Sequence, residues 1–225
     1  MRLKKIVVSV IAFFVLAAGS FTTTVDASSK SALEADIKKK AKETAEYNKN
    51  WSNKLDQKAI DQALKDMGVS KKEITGMAKK KKKDRVGAVL VTTDTGASLG
   101  KLVGHAGIIH PDSKLRYTVE SYPKKGVQRH KNNWTSRYKH LKKMYVKKAS
   151  KKQYTKAANY AKKQIGKPYN YFFADKKTSK KFYCSQLVWR AWKNASGKDL
   201  DHDGGPSVWP VDLIRSKHTV AYYSK

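Results

Sequence analysis

Three residues in this chain carry the side chains needed for thiol-based nucleophilic catalysis. Cys184 is the single cysteine of the 225 residues, so it has no partner for an intramolecular disulfide. His105 offers an imidazole that can take the thiol proton, and Glu120 offers a carboxylate that can hold the imidazole in one tautomer. If the fold brings these groups together, the sulfur can attack a carbonyl carbon.

The residues around Cys184 predict that it lies where a helix begins. Residues 176–182 read as a loop, and the apolar residues after Cys184 recur at helical spacing: Leu187, Val188, Ala191, Trp192 and Ala195. The free N–H groups at a helix N-terminus lower a thiol pKa and can bind an oxyanion. Because Cys184 also continues the apolar stripe of the helix, an inert buried cysteine is the alternative.

His105 and Glu120 fall in two consecutive predicted strands. His105 opens the apolar strand 105–109 directly after Gly104, and Glu120 interrupts the strand 115–122. Pairing of these strands would bring the carboxylate near the imidazole. The alternatives are an incidental histidine at a strand edge and a glutamate that faces solvent. The other histidines lie in turns or among charged residues and are weaker candidates.

The patterns in the rest of the chain predict a small α+β fold. Apolar, β-branched or alternating runs predict strands at 86–93, 105–109, 115–122, 126–130, 143–148 and 220–223. Helical spacing, with a capping box at its start, predicts a helix from Ser150, and other helices are predicted at 56–67, 71–77 and 184–195. We therefore expect a mostly antiparallel sheet packed with helices.

The chain begins with the features of an exported protein. Arg2, Lys4 and Lys5 precede the apolar stretch 6–18, and small residues suited to cleavage lie at 25–27. This is the layout of a cleavable secretory signal, and a retained membrane anchor is the alternative because the apolar stretch is short for a membrane span. We therefore expect the protein to be secreted and associated with a bacterial cell wall.

The same reading divides the chain into three parts. Residues 1–27 are the predicted signal peptide, and residues 28–85 form a basic helical extension and linker that ends in the lysine run 79–83. Residues 86–225 form the predicted catalytic domain. We expect contact with a membrane only through the signal peptide.

The charge of the chain points to a polyanionic partner. Lysine and arginine number 49 against 18 acidic residues, which gives a formal net charge of +31. Such a field favours nucleic acid, anionic lipid or the teichoic-acid type polymers of a bacterial wall. Export and the lack of a nucleic-acid-binding motif argue against nucleic acid. An anionic wall polymer is the predicted partner, and a solvated lysine coat that aids solubility is an equal alternative.

Three short motifs, in their order along the chain, resemble the permuted NlpC-type papain-like family, the YaeF/YiiX group. They are Gly104-His105-Ala106-Gly107-Ile108-Ile109, Val119-Glu120 and Tyr183-Cys184-Ser185-Gln186-Leu187-Val188. Ordinary papain-like enzymes carry the cysteine before the histidine, whereas this group carries the histidine first, as this chain does. The similarity covers about residues 86–225. One departure is Ala88, which follows Gly87 where the family commonly has aspartate.

The resemblance implies a circularly permuted papain-like fold and a Cys184–His105–Glu120 site. It implies amidase or peptidase chemistry on peptidoglycan-like or N-acyl substrates. The family is also related to lecithin:retinol acyltransferase-like proteins, so a lipid-directed acyltransferase stays open. A lipid substrate would need an apolar tunnel beside Cys184, and four aromatic residues are candidates to line it, with ordinary core or rim aromatics as the alternative: Tyr169, Tyr171, Phe172 and Phe173. A non-catalytic wall-binding module is the third reading.

One acidic segment resembles part of a metal site. Residues 199–204 match the opening of a calcium-binding loop, Asp-x-Asp-x-Asp-Gly. The bidentate acid that such a loop needs at its twelfth position would be Pro210. We therefore expect an acidic turn here, and we predict neither a metal nor another cofactor.

Overall fold

The fold was determined as a computed structural model, which describes residues 27–78, 84–94 and 103–225. The predicted signal peptide up to residue 26, the lysine run 79–83 and residues 95–102 lie outside the described residues. Of the elements described, the helices are α1 (Ala27–Lys49), α2 (Gln57–Asp66), α3 (Lys71–Ala78), α4 (Trp134–Arg137), α5 (Lys151–Lys162), α6 (Cys184–Ser196) and α7 (Pro210–Arg215). The strands are β1 (Val89–Thr92), β2 (His105–Ile109), β3 (Tyr117–Tyr122), β4 (Gly126–Lys131), β5 (Leu141–Val146) and β6 (Thr219–Ser224).

A single six-stranded sheet organises these elements. The strand order is β4-β3-β2-β1-β5-β6, and every neighbouring pair is antiparallel. The α+β prediction is therefore confirmed. β1 and β2 lie at the centre of the sheet, and their burial explains why they read as apolar runs without strict alternation.

The start of β1 differs from the predicted boundary. The predicted strand began at residue 86, but the observed strand begins at Val89 because the chain turns at Gly87. Gly87 has a φ of 76°, and a Cβ there would lie 2.4 Å from the carbonyl oxygen of Tyr154. A glycine is therefore required where this turn meets α5.

The helices that carry the core lie against this sheet. α6 packs on β2 and β3 and also on α5, so the residue at its start comes close to the central strands. α2 packs on β5 and β6, and its buried residues Ile60, Ala63 and Leu64 belong to the main core. Apolar residues of the predicted extension therefore contribute to the same core as the sheet.

Two helices, α4 and α7, were not predicted. α4 has four residues and α7 has six, so neither is long enough to show a helical period. α7 begins at Pro210, a residue that favours the first position of a helix. Among the described helices, none is long and apolar enough to cross a membrane.

Candidate active site

The fold brings the thiol of Cys184 to the imidazole of His105. Cys184 is the first residue of α6, and its side chain is partly exposed. His105 opens β2, against which α6 packs, and both residues line the same cleft. His105 Nε2 lies 2.9 Å from Oε2 of Glu120. Nδ1 is therefore the ring nitrogen left for the thiol.

Antiparallel pairing of β2 with β3 delivers Glu120 to His105, as the sequence predicted. Glu120 pairs with Gly107, two residues beyond His105 and on the same face of the sheet. A Cβ at Gly107 would lie 2.8 Å from the Trp134 ring and 2.9 Å from Glu120 Cγ. Gly107 thus leaves the space through which the carboxylate reaches the imidazole.

Glu120 is a buried carboxylate surrounded by donors, not the solvent-facing residue of the alternative reading. Its Oε1 accepts from Trp134 Nε1 at 2.8 Å and from Arg137 Nη2 at 2.7 Å. The hydroxyls of Thr118 and Tyr122 also donate to it. Burial alone would raise the pKa of Glu120, but the hydrogen bond and charge of His105, with the charge of Arg137, hold it well below its usual range. The carboxylate is therefore ionised at neutral pH.

His105 lies between two aromatic rings. The imidazole stacks on Tyr122 at a centroid distance of 4.4 Å and on Trp134 at 5.6 Å. Burial lowers the pKa of His105, but hydrogen bonds to Cys184 and Glu120 outweigh it and raise the pKa to about 9. The aromatic rings fix the plane of the imidazole while the two acidic partners favour its protonated form.

The pKa of the Cys184 thiol is lowered although burial alone would raise it. Burial opposes ionisation, but the hydrogen bond and positive charge of His105 favour the thiolate. Backbone N–H groups of Ala106 and Ser185 also donate to the sulfur. Since Cys184 is the first residue of a 13-residue helix, the partial positive charge of the helix N-terminus acts in the same direction. Cys184 and His105 can therefore form a thiolate–imidazolium pair.

A buried glutamine fixes the loop that leads into Cys184. The Gln186 amide donates to the carbonyls of Asp175, Lys176 and Thr178, and its oxygen accepts from the backbone N–H of Tyr183 and from Asn170. Gln186 and Asn170 are both fully buried. These bonds hold residues 175–183 against the start of α6 and so set the position of the thiol.

Cys184 and His105 face a cleft of about 180 Å³ with largely aromatic walls. Its described aromatic lining residues are Tyr122, Tyr138, Tyr169, Phe173, Tyr183 and Trp209. None of the described residues that line it is lysine or arginine, although the chain contains 49 such residues. Of the four residues predicted for an apolar tunnel, Tyr169 and Phe173 line the cleft, whereas Tyr171 and Phe172 are not among its lining residues.

The acidic segment 199–204 contacts lysine side chains. Carboxylate oxygens of Asp201, Asp203 and Asp212 lie within 4.8 Å of one another, an arrangement that suits a cation. The ammonium of Lys40 contacts Asp203 at 2.9 Å and also binds Asp212, and Lys176 contacts Asp201 at 2.7 Å. The segment thus forms an acidic turn neutralised by ammonium groups.

Sequence reasoning missed the groups that surround Glu120. Trp134 and Arg137 lie on α4, a helix with no detectable period, and Thr118 and Tyr122 read simply as strand residues. The sequence did contain one indication, because side chains alternate along a strand and residues 118, 120 and 122 must therefore share a face of β3. Nothing in the sequence links α4 to that face.

Comparison with known proteins places the chain in a family. Residues 87–202 match the family described as "Permuted papain-like amidase enzyme, YaeF/YiiX, C92 family". The chain belongs to this family. The predicted family is therefore confirmed. The matched residues include His105, Glu120 and Cys184, and they exclude α1, α2, α3 and α7.

Two relatives extend the comparison. The chain is 31% identical over 119 residues to the uncharacterized protein YycO of Bacillus subtilis, a match that covers 52% of this chain and 47% of the relative. The chain thus spans about half the length of that protein. The crystal structure of the metalloprotein YiiX from Escherichia coli is similar at a TM-score of 0.50 and 17% identity, over 63% of this chain and 97% of that one. This likeness confirms the permuted papain-like fold.

Proposed function

We propose that the protein is a secreted cysteine hydrolase that cleaves amide bonds in peptidoglycan-like or N-acyl substrates through Cys184, His105 and Glu120. The observation that carries the proposal is the placement of Cys184 and His105 in one cleft, with His105 Nε2 2.9 Å from the buried carboxylate of Glu120. A thiol with a lowered pKa beside a protonated imidazole is the arrangement that acyl transfer to sulfur requires.

The first half of the reaction forms a thioester. The Cys184 thiolate attacks the carbonyl carbon of the amide, and the carbonyl oxygen becomes an oxyanion that the N–H of Cys184 at the start of α6 stabilises. His105 Nδ1 gives its proton to the leaving nitrogen, the C–N bond breaks and the amine departs. Glu120 keeps the imidazole in the required tautomer through Nε2.

The second half uses water. Neutral His105 takes a proton from a water molecule, which attacks the thioester carbon. The C–S bond then breaks, a carboxylic acid is released and the thiolate–imidazolium pair is restored. Because Glu120 accepts hydrogen bonds throughout, it does not need to change its protonation state.

The cleft supports an uncharged acyl group next to the scissile bond. Its aromatic walls and the lack of lysine or arginine among its described lining residues favour an apolar or sugar-like surface over a phosphate group near Cys184. This lining favours an amide substrate over a phospholipid whose headgroup would sit beside the sulfur.

A basic groove on α5 supports an anionic partner at a distance from the cleft. Four exposed lysines line the groove, Lys151, Lys152, Lys156 and Lys163, and no described residue that lines it is acidic. A repeating anionic polymer such as a teichoic acid would meet this charge without entering the aromatic cleft. We propose that this groove holds the enzyme on the wall.

The experiment compares wild type with Cys184→Ala on purified peptidoglycan, N-acyl amino acids and phospholipid, with products identified by mass spectrometry. We expect new carboxyl and amine ends from the first or second substrate, and a loss of at least about 10³-fold in the variant. Ser196→Ala on the last turn of α6 is a control for the helix, because its hydroxyl contacts only backbone groups at that end of the helix, the carbonyl of Trp192 and the N–H of Lys198.

Two results would overturn the proposal. Acyl exchange on phospholipid without amide cleavage would identify an acyltransferase. Equal activity of wild type and Cys184→Ala would remove the thiol from the mechanism.

A further inference from the structure

α1 lies outside the residues that match the family, yet it contacts one wall of the cleft. Its buried residues recur about every four positions, at Asp36, Ile37, Lys40 and Thr44, and so share one face of the helix. Three of these four are polar or charged. This face is therefore not the apolar stripe by which a core-facing helix is usually recognised.

Asp36 contacts Trp209, an aromatic residue of the cleft wall. The Trp209 indole N–H donates to Asp36 Oδ2 at 2.7 Å, and both side chains are buried. Ile37 belongs to the small apolar cluster that contains Trp209 and Phe173. The indole therefore has its hydrogen-bond partner on α1, and its ring meets Phe173 edge-on at 5.1 Å.

Lys40 fixes the backbone of the same tryptophan through Asp212. One oxygen of Asp212 accepts from the backbone N–H of Trp209 at 2.8 Å, and the other binds the Lys40 ammonium. Lys40 and Asp212 are both fully buried. Burial lowers the pKa of Lys40, but the hydrogen bonds and charges of Asp212 and Asp203 outweigh it, so Lys40 stays protonated. The same ammonium also contacts Asp203 at 2.9 Å and Glu43 at 3.2 Å, so several carboxylates hold Lys40 in one position beside Asp212.

The other end of α1 contacts the segment that leads to Asp94, another lining residue of the cleft. Asn48 donates to the carbonyl of Thr93, which precedes the lining residue Asp94. Shortly after the helix, Trp51 packs on His140, whose Nδ1 is 2.7 Å from Asp94. α1 therefore joins the Trp209 side of the cleft to the Asp94 side.

We infer that α1 completes the active-site cleft, and that Asp36 and Lys40 are positioning residues that set its specificity by holding Trp209 beside Cys184. The substrate favoured by this arrangement has a flat or apolar group on its acyl side, which would pack against Trp209 and Phe173. The inference rests on the proposed function in taking Cys184 as the reacting atom.

The test measures the reaction of Cys184 with two neutral reagents, iodoacetamide and N-benzyl-iodoacetamide, by intact mass. The chain has one cysteine, so each added mass reports that thiol. We expect Lys40→Met to lower the benzyl rate relative to the iodoacetamide rate by about tenfold, the discrimination that loss of one apolar contact produces. The iodoacetamide rate and its pH profile should stay within about twofold, because the thiol, His105 and Glu120 are untouched.

Lys39→Met is the matched control. Lys39 is the next residue on the helix and contacts the same Asp203 at 2.7 Å, but its side chain is 57% exposed and it does not bind Asp212. In Lys39→Met the ratio of the N-benzyl-iodoacetamide rate to the iodoacetamide rate should equal that of wild type. Lys40→Arg, which keeps the charge, should restore most of the ratio. If Lys40→Met fails to fold, Asp36→Ala, which removes the acceptor of the Trp209 indole, carries the same expectation.

An unchanged ratio in folded Lys40→Met or Asp36→Ala would overturn the inference, and so would an equal fall in both rates. These readouts do not depend on amide cleavage. If wild type hydrolyses no amide but the ratio still falls in the variants, the proposed function fails and the role of α1 stands.

Discussion

At the scale of single residues, the saturated carboxylate of Glu120 decides how His105 behaves. Four neighbouring groups besides His105 donate to it, from Thr118, Tyr122, Trp134 and Arg137. A carboxylate held by this many donors keeps one orientation and stays ionised. It therefore favours the imidazolium and a single ring orientation, whereas water at this position would favour neither.

Replacing Glu120 by glutamine should change the pH profile of the enzyme. Because Glu120 contributes to the raised pKa of His105, about 9, the variant should lose the imidazolium at lower pH. We expect the alkaline limb of kcat/KM to move to lower pH, and the maximum to fall by roughly 10² to 10⁴-fold. The measurement is hydrolysis of the best amide substrate between pH 5 and 10. An unchanged alkaline limb would mean that another group sets the pKa of His105.

Gly107→Ala tests the space between His105 and Glu120. The new methyl group would lie within 3 Å of both Trp134 and Glu120, so the carboxylate must move away. We expect a loss of activity and a destabilisation of about 1–3 kcal/mol. Gly76→Ala is the control, because a Cβ there meets nothing within 4 Å and alanine suits the interior of α3. Wild-type activity in Gly107→Ala would show that the tight contact is not required.

At the scale of elements, the sequence predicted the strands and longer helices, whose apolar residues recur at regular spacing, and missed the two short helices α4 and α7. The strands of His105 and Glu120 and the start of α6 were confirmed, because buried strands and an amphipathic helix leave clear patterns. The pairing of the His105 strand with the Glu120 strand was predicted from their order along the chain, whereas the register that sets Glu120 opposite Gly107 was not. α4 and α7 are too short for a period, so Trp134, Arg137 and Asp212 could not be placed.

The role of α1 lay beyond sequence reasoning for a different reason. Its contact face is polar, and its partners Trp209 and Asp212 lie more than 160 residues away along the chain. Hydrophobic patterning finds faces that bury apolar groups. A buried lysine that pairs with a distant aspartate looks, in sequence, like any other lysine of a basic helix.

α2 gives a stability prediction at this scale. Leu64 is fully buried in the main core beside β5 and β6, so Leu64→Ala should lower the free energy of unfolding by about 2–5 kcal/mol. Lys58→Ala on the exposed side of α2 should change it by less than about 0.5 kcal/mol. Urea denaturation followed by circular dichroism measures both. A value for Leu64→Ala as small as that for Lys58→Ala would mean that α2 unfolds separately from the sheet.

At the scale of the whole molecule, the lysine-lined groove and the cleft that contains Cys184 share no described lining residue. The net charge is +31, but the described lining of the cleft includes no basic residue apart from His105. Lysines instead line the groove on α5. A molecule arranged in this way can bind a polyanion while an uncharged bond enters the active site.

This separation predicts that wall binding and catalysis respond differently to salt and to lysine substitution. Changing the four groove lysines, 151, 152, 156 and 163, to glutamine should weaken binding to isolated walls and reduce its salt sensitivity. Hydrolysis of a small soluble amide should be unaffected. The control changes four exposed lysines elsewhere, 114, 124, 125 and 131, and removes the same charge. Equal weakening by both sets would mean that net charge alone, and not the groove, holds the protein on the wall.

The activation of Cys184 by His105 can be measured as the rate of Cys184 alkylation with iodoacetamide across pH 4 to 10. Because the pKa of the thiol is lowered, we expect the wild-type rate to stay high well below the ordinary thiol pKa of about 8.5. In His105→Gln, burial is no longer opposed by the imidazolium, and the rate should fall at a distinctly higher pH. If the alkylation rates of both proteins depend on pH in the same way, with an ordinary thiol midpoint, the imidazole does not act on the sulfur and the proposed role of His105 is wrong.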